Sequence, residues 1–409
     1  MQQVQGLDTE WVYRLLTKQF HDAKPVNLTN ISIESAVPKG DNYTTDVFRV
    51  KLKTITATGS PKTFSIIVKL AKTPEKTQEF LANFSLFRDE AKVYATSIKR
   101  MEELIDEFND KRETLWAKMY GFQPYNSIVF EDLKDLNYTM IDRTAWQGLD
   151  YALLVLRAVG RFHAMSKVLI SRGIISNDDK GNFWATAGNP LNDKLIQGAF
   201  GVMSEAMIEN LGSWKSGWEA IGRRIRAKRS TLPAIIASLY SKYDEKFRVL
   251  NHGDLWTTNM MFKHTEYTNI PIAVKFLDFQ FPHLNSFIWD VLYYMYISVV
   301  PSVRRAHKEL LLKAYHESLL ENLKFFNYKG YIVTWDDVLS EEKRVSPAKL
   351  TFLFSFMSFT SSTVKDPFIM ENLVTDRPED AFNQLVFIEE KFVREVSGDL
   401  EEFAKEQLI

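Results

Sequence analysis

Between Val249 and Gln280 the chain reads VLNHGDLWTTNMMF and then AVKFLDFQ. This sets His252-x-Asp254, Asn259 five residues after Asp254, and Asp278 nineteen residues after Asn259. Phosphoryl transfer to a hydroxyl asks little covalent chemistry of a protein. It needs a carboxylate to orient the acceptor hydroxyl and take its proton, and oxygen ligands to hold Mg²⁺ against nucleotide phosphates. An Asp on a tight loop, an Asn one short loop later and an Asp after the next strand supply that set. Each alone fits a turn or a cap. Together, between the apolar strands Met260-Met261-Phe262 and Ala273 to Leu277, they point to catalysis.

Other residues complete such a site. Lys69 sits near the end of the strand-like run FSIIVKL, where a strand lysine can reach the α- and β-phosphates; read alone, it is a solvated strand-end lysine. Glu90 shares a helical face with Phe87 and Tyr94 and so borders a buried stripe. A carboxylate there needs a partner, and Lys69 is the natural one, with surface pairing to Arg88 or Lys92 as the alternative. Gly40 to Thr45 lies where a phosphate-covering loop would sit, but its single glycine equally suits an ordinary hairpin. Glu131-Asp132-Leu133 ends the last strand of the first lobe, where its backbone meets adenine or simply connects two lobes.

The elements that must position these residues follow from periodicity. Asp8 to Phe20 predicts a short helix capped by Asp8 or Thr9. Val26 to Leu70 alternates with period two, with turns at Gly40 and Gly59, which predicts an antiparallel sheet. Phe80, Phe84, Phe87, Ala91, Tyr94, Ile98 and Met101 step by four and three, predicting one long helix over Glu75 to Phe108. Strands are expected at Leu115 to Tyr120 and Ser127 to Glu131. Beyond them come helices at Ala145–Leu169, Leu191–Leu211, Trp218–Arg229 and Leu232–Phe247, a strand–loop–strand island at Val249–Leu277, and helices again from Ile288. The expected fold is α+β, with a nucleotide-binding lobe over 1–132 and a catalytic, acceptor-binding lobe over 133–409.

Composition excludes several classes. The 409 residues are 45% hydrophobic and 25% charged, as in ordinary globular proteins. With 51 basic and 52 acidic residues the net charge is −1, unlike the basic domains that coat nucleic acid. There is no cysteine, hence no disulfide, thiolate metal site or cysteine nucleophile. The N-terminal residues lack the pattern of a signal peptide, and the apolar run Val291 to Val300 is about half the ~20 residues that cross a bilayer. The expected setting is cytoplasmic, with no membrane span and no obligate protein partner. Sequons at Asn27, Asn30, Asn42, Asn83 and Asn137 are accordingly read as unglycosylated.

LNHGDLWTTN and LDFQ, preceded by VFEDL and IIVKL, resemble the ecdysteroid kinase-like (CHK kinase-like) family over about Pro38 to Val300. That family stands in the choline kinase and aminoglycoside phosphotransferase branch of the protein-kinase-like fold. The resemblance implies ATP and Mg²⁺ as cofactors, Asp254 as catalytic base, Asn259 and Asp278 as metal ligands, Lys69 as the phosphate lysine and Glu90 as its partner. It implies a small hydroxylated acceptor, led by an ecdysteroid-like steroid, with choline- or ethanolamine-like alcohols and xenobiotic alcohols behind it. The Gly40 loop departs from the protein-kinase glycine pattern. A kinase-fold binding protein without activity is the alternative of a different class, set against five intact polar positions. A protein kinase is disfavoured because only FQFPHLNSFIW separates Asp278 from Asp290, leaving no polypeptide platform.

The remaining features have quieter readings. His163 is expected to be packed and structural, and His252 to brace the catalytic loop. The seven histidines show no metal-ligand spacing. Arg223 to Arg229 is read as a solvated helix face. Trp184, Trp214 and Trp218 are read as core packing, with an aromatic acceptor pocket as the alternative.

Overall fold

In the strand Pro61–Ala71, Phe64, Ile66 and Val68 alternate with Ser65, Ile67 and Lys69. A period of two therefore gives it one apolar face and one face bearing a hydroxyl and a cation. The computed structural model to which it belongs describes residues 8–20, 25–36, 45–71, 86–124, 126–177, 201–369, 372 and 378–409. The Gly40 loop up to Thr44, the helical expectation over 75–85, Trp184, the start of the helix expected at Leu191, and the sequons at Asn42 and Asn83 lie outside the described residues.

Strands β1 (Pro25–Ser35), β2 (Thr45–Thr56), β3 (Pro61–Ala71), β4 (Met119–Gln123) and β5 (Ser127–Glu131) form an antiparallel sheet in the order β1-β2-β3-β5-β4. Helix α1 (Thr9–Gln19), capped by Asp8 accepting from the Trp11 amide at 2.8 Å, covers the apolar face. Its Val12 and Leu16 pack with Val50, Leu52, Phe64, Ile66 and Val68 in a small separate core.

The polar side of β3 meets helix α2 (Leu86–Val93), which runs through a π turn at Tyr94–Ile98 into α3 (Lys99–Glu107). The predicted stripe of Ala91, Tyr94, Ile98 and Met101 is buried, but the single regular helix expected there is interrupted by that wider turn. The strand expected at Leu115 to Tyr120 is displaced to Met119–Gln123. Leu115 and Trp116 instead pair with Phe276 of the other lobe, whose amide donates to Leu115 O at 2.7 Å. These buried apolar residues join the two lobes rather than extending the sheet.

The second lobe is helical. Helix α4 (Leu149–Ser171) begins four residues after the expected Ala145, because the Gln147 amide is taken by Ser298 O at 2.7 Å. It runs through the core beside a later helix, Pro301–Phe325, and Gly160 permits the approach. A Cβ at Gly160 would lie 2.7 Å from Tyr315 O, closer than real contacts allow. Helices α5 (Gly201–Trp214), α6 (Glu219–Arg229) and α7 (Leu232–Ser241) follow; the last stops short of the expected Phe247, which lies in a separate turn capped by Asp244.

The β island is two ribbons. β7 (Met260–His264) pairs with β8 (Pro271–Phe276), and β6 (Arg248–Asn251) pairs with β9 (His283–Ser286), which periodicity had not indicated. Helices α8 (Ile288–Ile297), α9 (Pro301–Phe325), α10 (Trp335–Val345) and α11 (Glu390–Lys405) finish the lobe. Arg304 and Arg305, at 2.5 and 2.7 Å from the buried Asp399, fasten α11 to α9. No helix among the described residues is long and apolar enough to cross a membrane.

Candidate active site

The site lies where the polar face of β3 meets the β island. Lys69 is 8% exposed, and its Nζ donates to Glu90 Oε2 at 2.6 Å and to Asp278 Oδ1 at 2.5 Å. Burial alone would lower the ammonium, but the charges of Asp278 and Glu90 together raise it above its ordinary range. Burial pushes the Glu90 carboxyl up to about 7 despite the Lys69 charge, and the neighbouring Asp278 adds to the rise. Thus the expected pairing of Lys69 with Glu90 is present, and Asp278 from the other lobe shares the same ammonium.

The loop between β6 and β7 is held from beneath. The amides of His252 and Gly253 donate to Asp290 Oδ2 at 2.7 Å and Oδ1 at 2.9 Å. His163 Nε2 lies 3.1 Å from Asp290 Oδ2, and His163 Nδ1 lies 3.0 Å from the Tyr315 hydroxyl. The Asp290 carboxyl is held below its usual range: burial opposes this, but the His163 hydrogen bond and the surrounding imidazoles prevail. His252 Nδ1 accepts the Asp254 amide at 3.3 Å, so its Nε2–H donates to Leu277 O at 2.9 Å. Both histidines therefore have the structural settings expected of them. The role of Asp290 was not read from sequence; the signal available was an acid opening the otherwise apolar helix α8.

Gly253 has φ +84°, and a Cβ there would fall 2.1 Å from Phe281 O. Only glycine fits that bend. Asp278 also adopts the left-handed region, at φ +66°, which Asp tolerates better than most residues. Phe279 follows it, with its ring centroid 4.4 Å from His252 and 5.6 Å from Tyr94 of the π turn. This links the loop after β8 to the helix that carries Glu90.

Asp254, Asn259 and Asp278 are brought together. Asn259 Nδ2 donates to Asp254 O at 2.9 Å and to Asp254 Oδ2 at 2.8 Å, while the Leu277 amide donates to Asn259 O at 2.8 Å. Those bonds leave the Asn259 amide oxygen outside them, the atom a hard cation takes. Gln280 Nε2 donates to Asp278 Oδ2 at 3.0 Å. One carboxylate and one amide oxygen suit Mg²⁺, which binds through one or two carboxylates plus substrate phosphates. No group of three or more acidic or histidine side chains with metal-site geometry occurs among the described residues. Burial pushes the Asp254 carboxyl up to about 7; the Tyr293 hydrogen bond pulls against this, the Asp278 charge adds to it and the Asn259 bond lowers it.

At the junction of the lobes the Glu131 carboxylate accepts the Lys118 amide at 2.9 Å, and the Glu131 amide donates to Lys118 O at 2.9 Å. Leu133 is buried and opens a short 3₁₀ turn. Between them Asp132, whose side chain was given no role from sequence, receives Arg49 at 2.6 and 3.2 Å and Ser65 Oγ at 2.6 Å. It ties the junction to the polar face of β2 and β3. Trp214 donates Nε1–H to Phe387 O at 2.8 Å and packs near Trp218 and Phe392, in the packing role expected for it. On α6, Arg229 and Arg226 both pair with Glu205, so part of the basic run is neutralised locally.

The family model of the ecdysteroid kinase-like family matches residues 39–328, well over half of the chain. No curated protein matches it. The chain belongs to the ecdysteroid kinase-like family, and its α+β, two-lobed architecture is that of the kinase-like fold. Membership in that family suggests a small-molecule kinase.

Proposed function

We propose that this protein is an ATP- and Mg²⁺-dependent kinase that transfers the γ-phosphoryl group to a hydroxyl of a small alcohol, foremost an ecdysteroid-like steroid. The observation that carries the reading is the convergence of Glu90 and Asp278 within 2.6 Å of the Lys69 ammonium, beside Asp254 bonded to Asn259. The nucleotide-binding lobe is 1–132 and the catalytic lobe 133–409. Lys69, oriented by Glu90, holds the α- and β-phosphates. Asn259 and Asp278 hold the metal through oxygen. Adenine meets the main chain at Leu133; the Glu131 carboxylate and amide are engaged with Lys118 and serve to shape the junction.

Bound Mg–ATP supplies the phosphoryl group and neutralises charge on its oxygens. Asp254 orients the acceptor hydroxyl and accepts its proton as the acceptor oxygen bonds to the γ-phosphorus and the bond to the β–γ bridging oxygen breaks, releasing ADP. A raised carboxyl pKa suits a base working near neutral pH. On the acceptor side, Tyr293 packs against Phe352 and Phe356 at 5.3 and 5.6 Å, and Phe359 and Phe368 continue the row. Phe356 and Phe359 are only half-buried. An aromatic wall beside the base favours an apolar, ring-bearing alcohol. The protein acts in the cytoplasm on a diffusible substrate.

The test is incubation with Mg–ATP and a panel of hydroxylated steroids, choline, ethanolamine and xenobiotic alcohols, reading product by mass. An 80 Da gain on a steroid supports the full reading. A gain confined to choline or ethanolamine corrects the acceptor. Nucleotide binding without transfer to any member indicates a binding protein.

A further inference from the structure

Asp254 is a short side chain whose carboxylate plane turns about a soft torsion, so a base in this position needs donors on both oxygens to hold one orientation. Asn259 Nδ2 supplies one, 2.8 Å from Oδ2. Asn259, however, is also the residue whose amide oxygen serves the metal in the proposed function. Its geometry is therefore set by the nucleotide side of the site and not by the acceptor side.

The other oxygen has a donor from a different element. The Tyr293 hydroxyl, on α8, lies 2.8 Å from Asp254 Oδ1. Tyr293 is 5% exposed, and its ring is wedged against Phe352 and Phe356 of the π-helical segment Phe352–Met357. Burial and the adjacent Asp254 charge keep the phenol protonated well above its ordinary range, so it acts as donor. Three residues earlier on the same helix, Asp290 holds the amides of His252 and Gly253. One turn of α8 thus fixes both the backbone of the catalytic loop and the side chain that the loop presents.

We propose that Tyr293 is a positioning residue for the transfer: its hydroxyl pins Oδ1 of Asp254, so that the remaining lone pairs of the carboxylate face the acceptor hydroxyl in one orientation. The inference rests on the kinase reading and deepens it on the acceptor side. A carboxylate has about four lone-pair sites, so a donor on each oxygen still leaves room for the substrate. The Tyr293 hydroxyl bonds to Asp254 and not to Lys69, Asn259 or Asp278, so its contribution separates from theirs. Its ring also joins the aromatic wall, so the residue that orients the base borders the surface offered to the substrate.

The experiment compares full-length wild type, Tyr293→Phe, Asp254→Asn and the double variant, measuring kcat, the KM for ATP, Mg–ATP affinity by calorimetry and the melting temperature. Tyr293→Phe keeps the ring and its packing and removes only the donor. The expected result is a fall in kcat of ~10–100-fold, the scale of a misplaced catalytic group, with ATP KM, Mg–ATP affinity and melting temperature held. In the Asp254→Asn background the same change should have no further effect on kcat, because the group being positioned is already gone. Unchanged kcat in Tyr293→Phe overturns the proposal. So does an equal loss in both backgrounds, or a loss that tracks a lowered melting temperature, since either marks a merely structural tyrosine. Absence of transfer by the wild type to every acceptor overturns the kinase reading itself, and this inference with it.

Discussion

Lys69 Nζ lies 2.5 Å from Asp278 Oδ1, although the two residues are 209 positions apart and come from different lobes. The ammonium is shared between Glu90 of its own lobe and Asp278 of the other, so the cleft is bridged by the groups assigned to phosphate and metal. A bound nucleotide would take over one side of this contact: its phosphates would engage Lys69, and Asp278 would turn to the cation.

Replacing Lys69 with Met removes that shared cation. Hydrogen bonds to charged groups are worth ~1.5–3 kcal/mol, which corresponds to a loss of ~10–100-fold in Mg–ATP affinity. Glu90→Ala leaves Lys69 paired with Asp278 and should cost less. Calorimetric titration with Mg–ATP decides; unchanged affinity in both variants would show that the pair joins the lobes without holding phosphate.

Asp254 and Asp278 should separate cleanly. Asp254→Asn keeps shape but removes the proton acceptor, so turnover should fall ~10²–10⁴-fold while Mg–ATP affinity survives. Asp278→Asn takes an anionic oxygen from a hard cation, and both turnover and Mg²⁺-dependent ATP binding should collapse, with Asn259→Ala a milder copy. Titration of ATP with and without Mg²⁺, beside single-turnover rates, checks this. The opposite pattern would mean that the two roles are exchanged.

Gly253→Ala should be severe. Its Cβ would sit 2.1 Å from Phe281 O, at a φ of +84° that L residues rarely adopt. Relief requires moving either the catalytic loop or the strand-linking segment before β9. Strain of ~1–3 kcal/mol from the backbone alone is expected, and more with the clash. Urea denaturation should show the loss of stability. An alanine variant as stable as wild type would mean that the loop is not held at this bend.

Acid should destabilise the fold through His283. Burial lowers its imidazole to about 4, against an opposing pull from Asp290, while His163 and His252 lower it further. The unfolded chain protonates near 6.5 and the folded one does not, so the full stability present above about 6.5 is lost progressively as pH falls toward 4. At 1.36 kcal/mol per pKa unit the loss is about 3 kcal/mol, and His252, also lowered by burial, acts in the same direction. Urea midpoints at pH 7 and pH 4 measure it, and His283→Gln should flatten the difference. Equal flattening by His264→Gln, at the half-buried end of β7, would point to a general charge effect instead.

The candidate site was legible because its chemistry is spaced along the chain. Asp254, Asn259 and Asp278 sit in one stretch whose strands are short and apolar, and the bond from Asn259 to Asp254 spans only five residues. Lys69 was placed by the two-residue alternation of β3 and Glu90 by the helical stripe that it borders; their pairing followed from the cost of burying either alone. Less was legible where pairing overrides local pattern. Leu115 and Trp116 look like strand and are strand-like, but their partner is Phe276 in the other lobe. The four residues of β9 carry too little pattern to announce pairing with β6.

What the amino-acid order by itself determined is the identity and local setting of the candidate site's side chains, because helical and strand periodicities dictate which residues share a face. What only the tertiary structure decided is which distant groups complete them. Asp290 beneath the loop, Tyr293 on Asp254, Asp132 behind the lobe junction and Asp278 on Lys69 are joined across separations of 37 to 209 residues. No local period encodes such contacts. They follow from the packing of α8 and the β island around buried polar groups, each of which has to find a partner once water is excluded.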